Sequence, residues 1–421
     1  MPPCPTNTSG QKAEDRADKG PLESLDKTTD HISSQQTSVA DVRKTLNGTT
    51  NQEKSCPLIQ HVPQNSNPAS LESESKYTSL NDHDDGHHHH HHDDYDYKFS
   101  FKQMYIDTLN LDWSKVLWDM VLVLVVFHVL VLYGVYLIIT GQVRVWSYVY
   151  IALMSIFAGL GVTMGVHRLW THRSFKASLP VRIVLMCLNS VAFQESIYLW
   201  SQNHRVHHKW SDTDRDFTNS RRGFFFAHMG WKMYQTHPEV IKARKMIDCS
   251  DLLDDPVVRI QNEYYYWISL PLAFILPTII PNYLWGEDLV YSFLTCGLVR
   301  LAITFHVTWC INSVAHLYGY RPYDKNLYAH ENQILGPLAL GEGWHNYHHA
   351  FPRDYRASEM DGWGFNLTTK IIETLAMVGL TSDLVTASDE HVDRRVARTG
   401  DDEERDKLWR EVMGYTRPRA R

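Results

Sequence analysis

The sequence predicts an all-α membrane protein: four transmembrane helices carrying a helical cytosolic cap. Four segments, at about 116–140, 145–166, 264–285 and 289–315, are apolar over the roughly 20 residues a bilayer crossing takes. Nine histidines in four short clusters stand at the edges of those segments, where a buried imidazole is costly unless it has a partner. The loop between the second and third segments is rich in basic residues, including Arg168, Arg173, Lys209, Arg221 and Arg222. The connection 286–288 has none, and the other short connection has only Arg144. By the positive-inside rule the histidine clusters and both termini face the cytosol.

The elements follow in order. Residues 1–97 are polar with few aromatics and read as a disordered cytosolic tail. No apolar h-region opens the chain, so no cleavable signal peptide is expected and an internal segment must insert. The six histidines at 87–92 lack fixed geometry and are excluded from any site. Residues 98–385 hold the four spans and the cap, and 386–421 read as a cytosolic C-terminal tail. The second span has no charged residue. The third carries Pro271, Pro277 and Pro281, which predict kinks. The fourth contains Arg300, which needs a partner or must snorkel. Trp118, Trp146, Trp267 and Trp285 lie near span ends, as an aromatic belt would.

A fifth apolar stretch, 181–200, must not cross. If it did, the clusters before and after it would lie on opposite faces of the membrane. It also holds Arg182, Asn189, Gln194 and Glu195, too polar for lipid contact. It reads as a helix packed inside the cap, lining a substrate site. The formal charge of -7 gives no sign of nucleic-acid binding. None of the six cysteines forms a CxxC pair and three lie in apolar runs, which fits a reducing compartment.

The clusters are HRLWTH (His167, His172), HRVHH (His204, His207, His208), NSVAHLYG (His316) and HNYHH (His345, His348, His349). Each imidazole alone reads as a core or interface residue; the joint pattern does not. Neutral imidazole is a common ligand for Zn, Cu, Fe and Ni. A structural zinc takes about four ligands, so nine are too many for one ion and suit two. In both HxxHH boxes the histidines at i, i+3 and i+4 share a helical side and can reach two adjacent metals. HRLWTH is spaced i, i+5, off a single helical face by roughly 140°. That suits a helix ending near His167, with His172 returning from the next turn. Gly341 and Gly343 allow close backbone approach before HNYHH. Asn312 sits one turn before His316, where an amide can hold a metal-bound water. The remaining histidines, His128, His228, His237, His306, His330 and His391, lack such company and read as structural.

Two histidine-bound metals at a membrane surface suggest redox chemistry on a lipid. Lipid methylenes carry no acidic proton, so no positioned base removes one. Activated oxygen on a metal is needed. Zinc has no redox chemistry, which makes iron the better choice from function.

At these residues the chain resembles the membrane-bound acyl-CoA desaturases, particularly the animal stearoyl-CoA (delta-9) type and its insect members. The likeness covers roughly residues 100–400. It includes GVHRLWTHRSFKA, HRVHHKWSDTD, SRRGFFFAHMGW, NSVAHLYGYRPYDK, GEGWHNYHHAFPRDYRASE and GWGFNLTT, with RTGD at 398–401. The resemblance implies an oxidoreductase of the endoplasmic reticulum membrane, with two Fe ions and O2 as co-substrate. It implies a long-chain acyl-CoA substrate, and electrons from cytochrome b5 and its NADH-dependent reductase. It implies that all nine box histidines bind iron, with Asn312 reaching iron through water, and that a kinked acyl tunnel lies between cap and spans. Gln194 and Trp200 match family positions near that tunnel. Ile151 and Ser155, above His167 on the second span, are expected to close it and set chain length.

The departures concern the headgroup. Where the family usually reads AFQN and YEWxRDH, this chain has AFQE at 192–195 and YLWSQNH at 198–204. The usual RKHP is Gln235, Thr236, His237, Pro238. Asn262 and Glu263 replace a basic pair, and DRDFTN at 214–219 replaces DADPHN. CoA is polyanionic and its phosphates favour Arg and Lys. Arg205, Arg215, Arg221, Arg222 and Lys232 remain to compensate. The expected activity is insertion of a cis double bond, at delta-9, into a saturated acyl-CoA. The alternatives are a desaturase or hydroxylase acting on a non-CoA acyl lipid, or a non-catalytic lipid-binding relative. A metal transporter fits poorly, because transport sites sit near mid-membrane.

Overall fold

The computed structural model describes residues 112–415 and Arg417. The tail expected over 1–97 and the histidine run at 87–92 lie outside the described residues. The described residues fall within the unit His88–Arg421.

Among the described residues, four helices are long and apolar enough to cross a membrane: Trp118–Ile139, Val145–Thr171, Tyr265–Trp285 and Leu289–Leu317. They match the expected spans to within a few residues. Their two short connections meet at one end. Glu287 accepts from the backbone N–H of Arg144 at 2.8 Å and from the Ser147 hydroxyl, and Trp285 Nε1 donates to Ser147 Oγ at 3.0 Å. The histidine clusters therefore gather at the opposite end. The third span, where the prolines predict kinks, widens over Pro271–Ile275 and carries Pro281 inside Leu276–Trp285. Arg300 is fully buried and does not snorkel. Its guanidinium donates to Val191 O at 2.8 Å, Ala273 O at 2.6 Å and Cys296 O at 3.4 Å. It thereby ties the fourth span to the third and to the cap.

The apolar stretch 181–200 is not one helix. Leu179–Ala192 and Ile197–Trp210 meet at an angle of 81°. Phe193 and Glu195 turn the chain in left-handed conformations, with φ of +53° and +75°. Each 14-residue half is roughly 21 Å long, short of the ~30 Å hydrocarbon core. Polar partners fix the break. Ile197 N–H donates to Gln261 Oε1 at 3.0 Å, Glu195 N–H donates to Tyr265 Oη at 3.1 Å, and Ser196 caps the second half by accepting from Leu199 N–H.

The expected C-terminal tail is folded through residue 415. Asp389–Thr399 and Asp402–Met413 are helices. Val392 and Val396, one turn apart, pack with Tyr323, Tyr347 and Phe351, while Leu408 and Trp409 pack with Trp344 and Met360. Buried Arg405 is paired with Glu359 and Asp393. The high charge of this segment hid a narrow apolar stripe, which suffices when a neighbour supplies the other half of the core.

Candidate metal centre and acyl cavity

The structure brings all nine cluster histidines together, in two groups. His167, His172, His204, His208 and His348 form one; His207, His316, His345 and His349 form the other. Within each group the ligand nitrogens all lie within 4.8 Å of one another. Each HxxHH box divides itself between the groups. On the helix Ile197–Trp210, His204 and His208 go to one group and His207 to the other. On His345–Ala350, His345 and His349 go to one and His348 to the other.

HRLWTH works differently from expectation. The second span does not end at His167 but widens over Gly161–Thr171 to hydrogen bonds of i→i+5 type. His172 N–H donates to His167 O at 3.1 Å. A wider turn brings residues five apart to one side, so both rings enter the same group, with centroids 4.8 Å apart. Gly341 and Gly343 serve as expected: a Cβ would sit 2.2 Å from Asn366 Oδ1 at Gly341 (φ +113°) and 2.3 Å from Gly336 N at Gly343.

The donor set suits a cation. His207 Nδ1 lies 2.9 Å from Asp216 Oδ2, His316 Nδ1 2.9 Å from Asp212 Oδ2, and His167 Nδ1 2.9 Å from Glu342 Oε2. A carboxylate draws the proton to Nδ1 and leaves a lone pair on Nε2. Those Nε2 atoms converge: His167 to His348 is 2.9 Å, His345 to His316 is 3.1 Å, and His207 to His349 is 3.3 Å. Bare lone pairs that close repel unless a positive charge sits among them. His172 Nε2 is buried with no protein partner. Burial, reinforced by neighbouring imidazoles, also holds His172, His204, His208, His345, His348 and His349 well below the usual histidine pKa. They are neutral, the form that ligates. His207 departs upward: burial opposes protonation, but Asp216 outweighs it.

Beside the cluster lies an apolar cavity of about 240 Å³ between the second and fourth spans. His167, His204 and His345 reach it from the metal side, with Trp200 and Asn312 close by; Ser155, Ile156 and Ile303 line it farther along the spans. Gln194 stands next to this wall, donating to Thr308 Oγ1 at 2.9 Å. A second cavity of about 350 Å³ lies in the cap. Arg222, Lys232 and Arg244 line it, together with Glu195, Asn203, Gln235 and Thr236. The helix Ile197–Trp210 is the partition: Trp200 and His204 face the first cavity, Leu199 and Asn203 the second.

Two expected substrate residues stand elsewhere. Arg205 is consumed by structure. It pairs with Asp251 at 2.7 Å and donates to the carbonyls of Trp170, Thr171 and Asp248. Ile151 is buried one turn before Ser155 and is not among the cavity's lining. Arg221 is exposed, while Arg222 stacks 3.6 Å from the centre of the Phe226 ring.

Sequence reasoning passed over Asp212, Asp216 and Glu342, although they stand inside the quoted HRVHHKWSDTD and GEGWHNYHH stretches or immediately after. Their signal was a carboxylate near each box. It also read His128, His306 and His228 as unrelated. They form a chain, with His128 Nε2 3.2 Å from His306 Nε2 and His306 Nδ1 3.0 Å from His228 Nε2. The chain ties the first span to the fourth and to the cap helix Phe224–His228. No sequence spacing announces it.

The fatty acid desaturase family model matches residues 144–356. The chain is 46% identical over 290 residues to stearoyl-CoA desaturase 5 of Bos taurus, covering 68% of this chain and 85% of that protein. It is 47% identical over 276 residues to the acyl-CoA delta(11) desaturase of Choristoneura rosaceana, covering 65% and 82%. It is 44% identical over 293 residues to the acyl-CoA delta12-desaturase of Acheta domesticus, covering 70% and 80%. All nine histidines fall inside the matched region, and with this likeness the chain belongs to the fatty acid desaturase family.

Proposed function

We propose that this chain is an O2-dependent acyl-CoA desaturase that inserts a cis double bond, at delta-9, into a saturated long-chain acyl-CoA at a diiron centre. One observation carries the reading: two converging groups of imidazoles border an apolar cavity between two spans. His167, His172, His204, His208 and His348 would hold one ion. His207, His316, His345 and His349 would hold the other, with Asn312 reaching it through water. Bound iron with O2 would supply the oxidising power to take two hydrogens from neighbouring acyl carbons.

The chain's own residues do the positioning. Glu342, Asp212 and Asp216 hold three imidazoles in the ligating tautomer. The apolar walls admit an acyl chain and exclude water, while Trp200 and the Gln194–Thr308 pair shape its path past the histidines. Positioning decides which methylene is oxidised. Arg222, Lys232 and Arg244 offer the cap cavity to the CoA phosphates, with Arg221 at the surface nearby. Electrons come from cytochrome b5 and its NADH-dependent reductase, and the site faces the cytosol from the endoplasmic reticulum membrane.

A second reading, another acyl carrier, is favoured by one feature. Glu195 places a carboxylate in the cap cavity, 3.7 Å from Lys232 and bonded to Asn203 Nδ2 at 3.1 Å. Comparing activity on acyl-CoA with activity on extracted lipids separates the two.

The test is lipid mass spectrometry in yeast lacking its own delta-9 desaturase. New mono-unsaturated chains with the wild type, and none with His348→Ala, are expected. No product from folded, iron-loaded protein would sink the reading.

A further inference from the structure

Three of the nine imidazoles stand on one helix, His345–Ala350, which is only 6 residues long. His345 and His349 go to one group and His348 to the other. A helix this short does not hold itself, because forming the first turn is costly and few further bonds offset it. Its place is set from outside. Asn346, between His345 and Tyr347, is fully buried and uses both faces of its amide. Its Oδ1 accepts from Tyr323 N–H at 2.8 Å and Asp324 N–H at 3.1 Å. Its Nδ2 donates to Asp324 O and Ala329 O, both at 2.9 Å.

The loop 321–325 that meets Asn346 has no helix or strand of its own. The two C-terminal helices fix it. Arg395 pairs with the buried Asp324, its Nε donating to Oδ2 at 3.0 Å. Lys325 N–H donates to Thr399 O at 2.8 Å, Asp401 N–H to Pro322 O at 2.8 Å, and Arg321 N–H to Glu404 Oε2 at 3.0 Å. The backbones approach so closely at Gly400 that a Cβ there would sit 2.3 Å from Pro322 O. The RTGD stretch at 398–401 is thus the seam between the C-terminal helices and this loop.

We propose that Asn346 is the positioning residue for His345, His348 and His349, and that the C-terminal helices are a clasp that holds it through Arg395 and Asp324. The inference rests on the metal reading of the histidine groups. A shift of the short helix moves all three imidazoles together, and a metal site tolerates only about 0.5 Å. Retention of both ions therefore depends on a segment that contributes no ligand.

The test uses the purified full chain loaded with iron. Two readouts are taken well below the melting temperature: the rate of iron release to a colorimetric chelator, and the Mössbauer spectrum. Arg395→Ala leaves Asp324 buried without its cation, and Gly400→Ala pushes the loop away from the clasp. Each should speed release of both irons about tenfold, the low end for residues that orient ligands, and change the spectrum of both. Arg395→Lys keeps the cation and should stay closer to the wild-type rate. Asn346→Ala should match or exceed Arg395→Ala; if it does not fold, the other variants still decide. Wild-type release and spectrum in folded Arg395→Ala and Gly400→Ala would overturn the clasp. A lowered melting temperature with an unchanged spectrum would overturn it too, since that is what a merely structural contact gives. A wild type that holds no iron would overturn the metal reading itself.

Discussion

His167 Nδ1 lies 2.9 Å from Glu342 Oε2, and the other oxygen of Glu342 accepts from Arg168 Nε at 2.8 Å. Two neighbours in sequence thus meet again through a carboxylate on a distant loop. Burial alone would raise the Glu342 pKa, but Arg168 and His167 hold it below its ordinary value. Glu342 is therefore ionised and fixes the tautomer of His167. Arg168 is anchored in turn by the carbonyls of Tyr355 and Arg356 and by Thr369.

Glu342→Gln keeps the shape and removes the charge. Loss of such a partner costs about 10–100-fold in metal affinity or activity. Iron content and turnover, measured on the same purified sample, should both fall in that range. Unchanged iron occupancy would show that the carboxylate does not govern the ligand.

His348 and His345 sit one turn apart in HNYHH yet belong to different groups. His348→Ala and His345→Ala should each abolish desaturation and each lower the iron stoichiometry. Full activity in either would disprove its place as a ligand.

Gln235 and Thr236 line the cap cavity, where the family usually carries Arg and Lys. Gln235→Arg with Thr236→Lys should tighten CoA-ester binding about tenfold, since each charged hydrogen bond contributes about 1.5–3 kcal/mol. The gain should appear in KM rather than kcat and shrink with added salt. No change in KM would argue for another headgroup.

Glu331 is buried behind the HNYHH cluster, and Tyr347 N–H donates to its Oε1 at 2.6 Å. Burial first, and Glu359 among the further causes, push its pKa from 4.5 up to about 8. The fold therefore favours the protonated acid. That contribution is complete below the unfolded pKa of 4.5 and is lost as pH rises through about 8. Thermal stability in detergent should decline over that window, and Glu331→Gln should flatten the decline. An equally steep decline in the variant would place its cause elsewhere.

Much of this protein is legible in its sequence. Span positions follow from apolar length, because a bilayer demands about 20 apolar residues whatever the neighbours. The two HxxHH boxes announce their geometry, because i, i+3 and i+4 face one way on any helix. HRLWTH did not, since its spacing makes sense only once the span widens to an i→i+5 turn. The packing of the charged C-terminal segment was not legible either, because Val392, Val396 and Leu408 find their apolar partners only in distant parts of the chain.

The sequence by itself determined the four apolar spans and the nine imidazoles whose chemistry is compatible with a metal site, because local periodicity and side-chain chemistry carry that information. Only the tertiary structure decided which histidine joins which group, and which carboxylate orients it. It also decided that 181–200 breaks into two helices meeting at 81°. It spent Arg205 on Asp251 and Arg395 on Asp324. Those outcomes are contacts between residues far apart in the chain. Their energies depend on burial and on distances of a few ångströms, which no spacing along the sequence encodes.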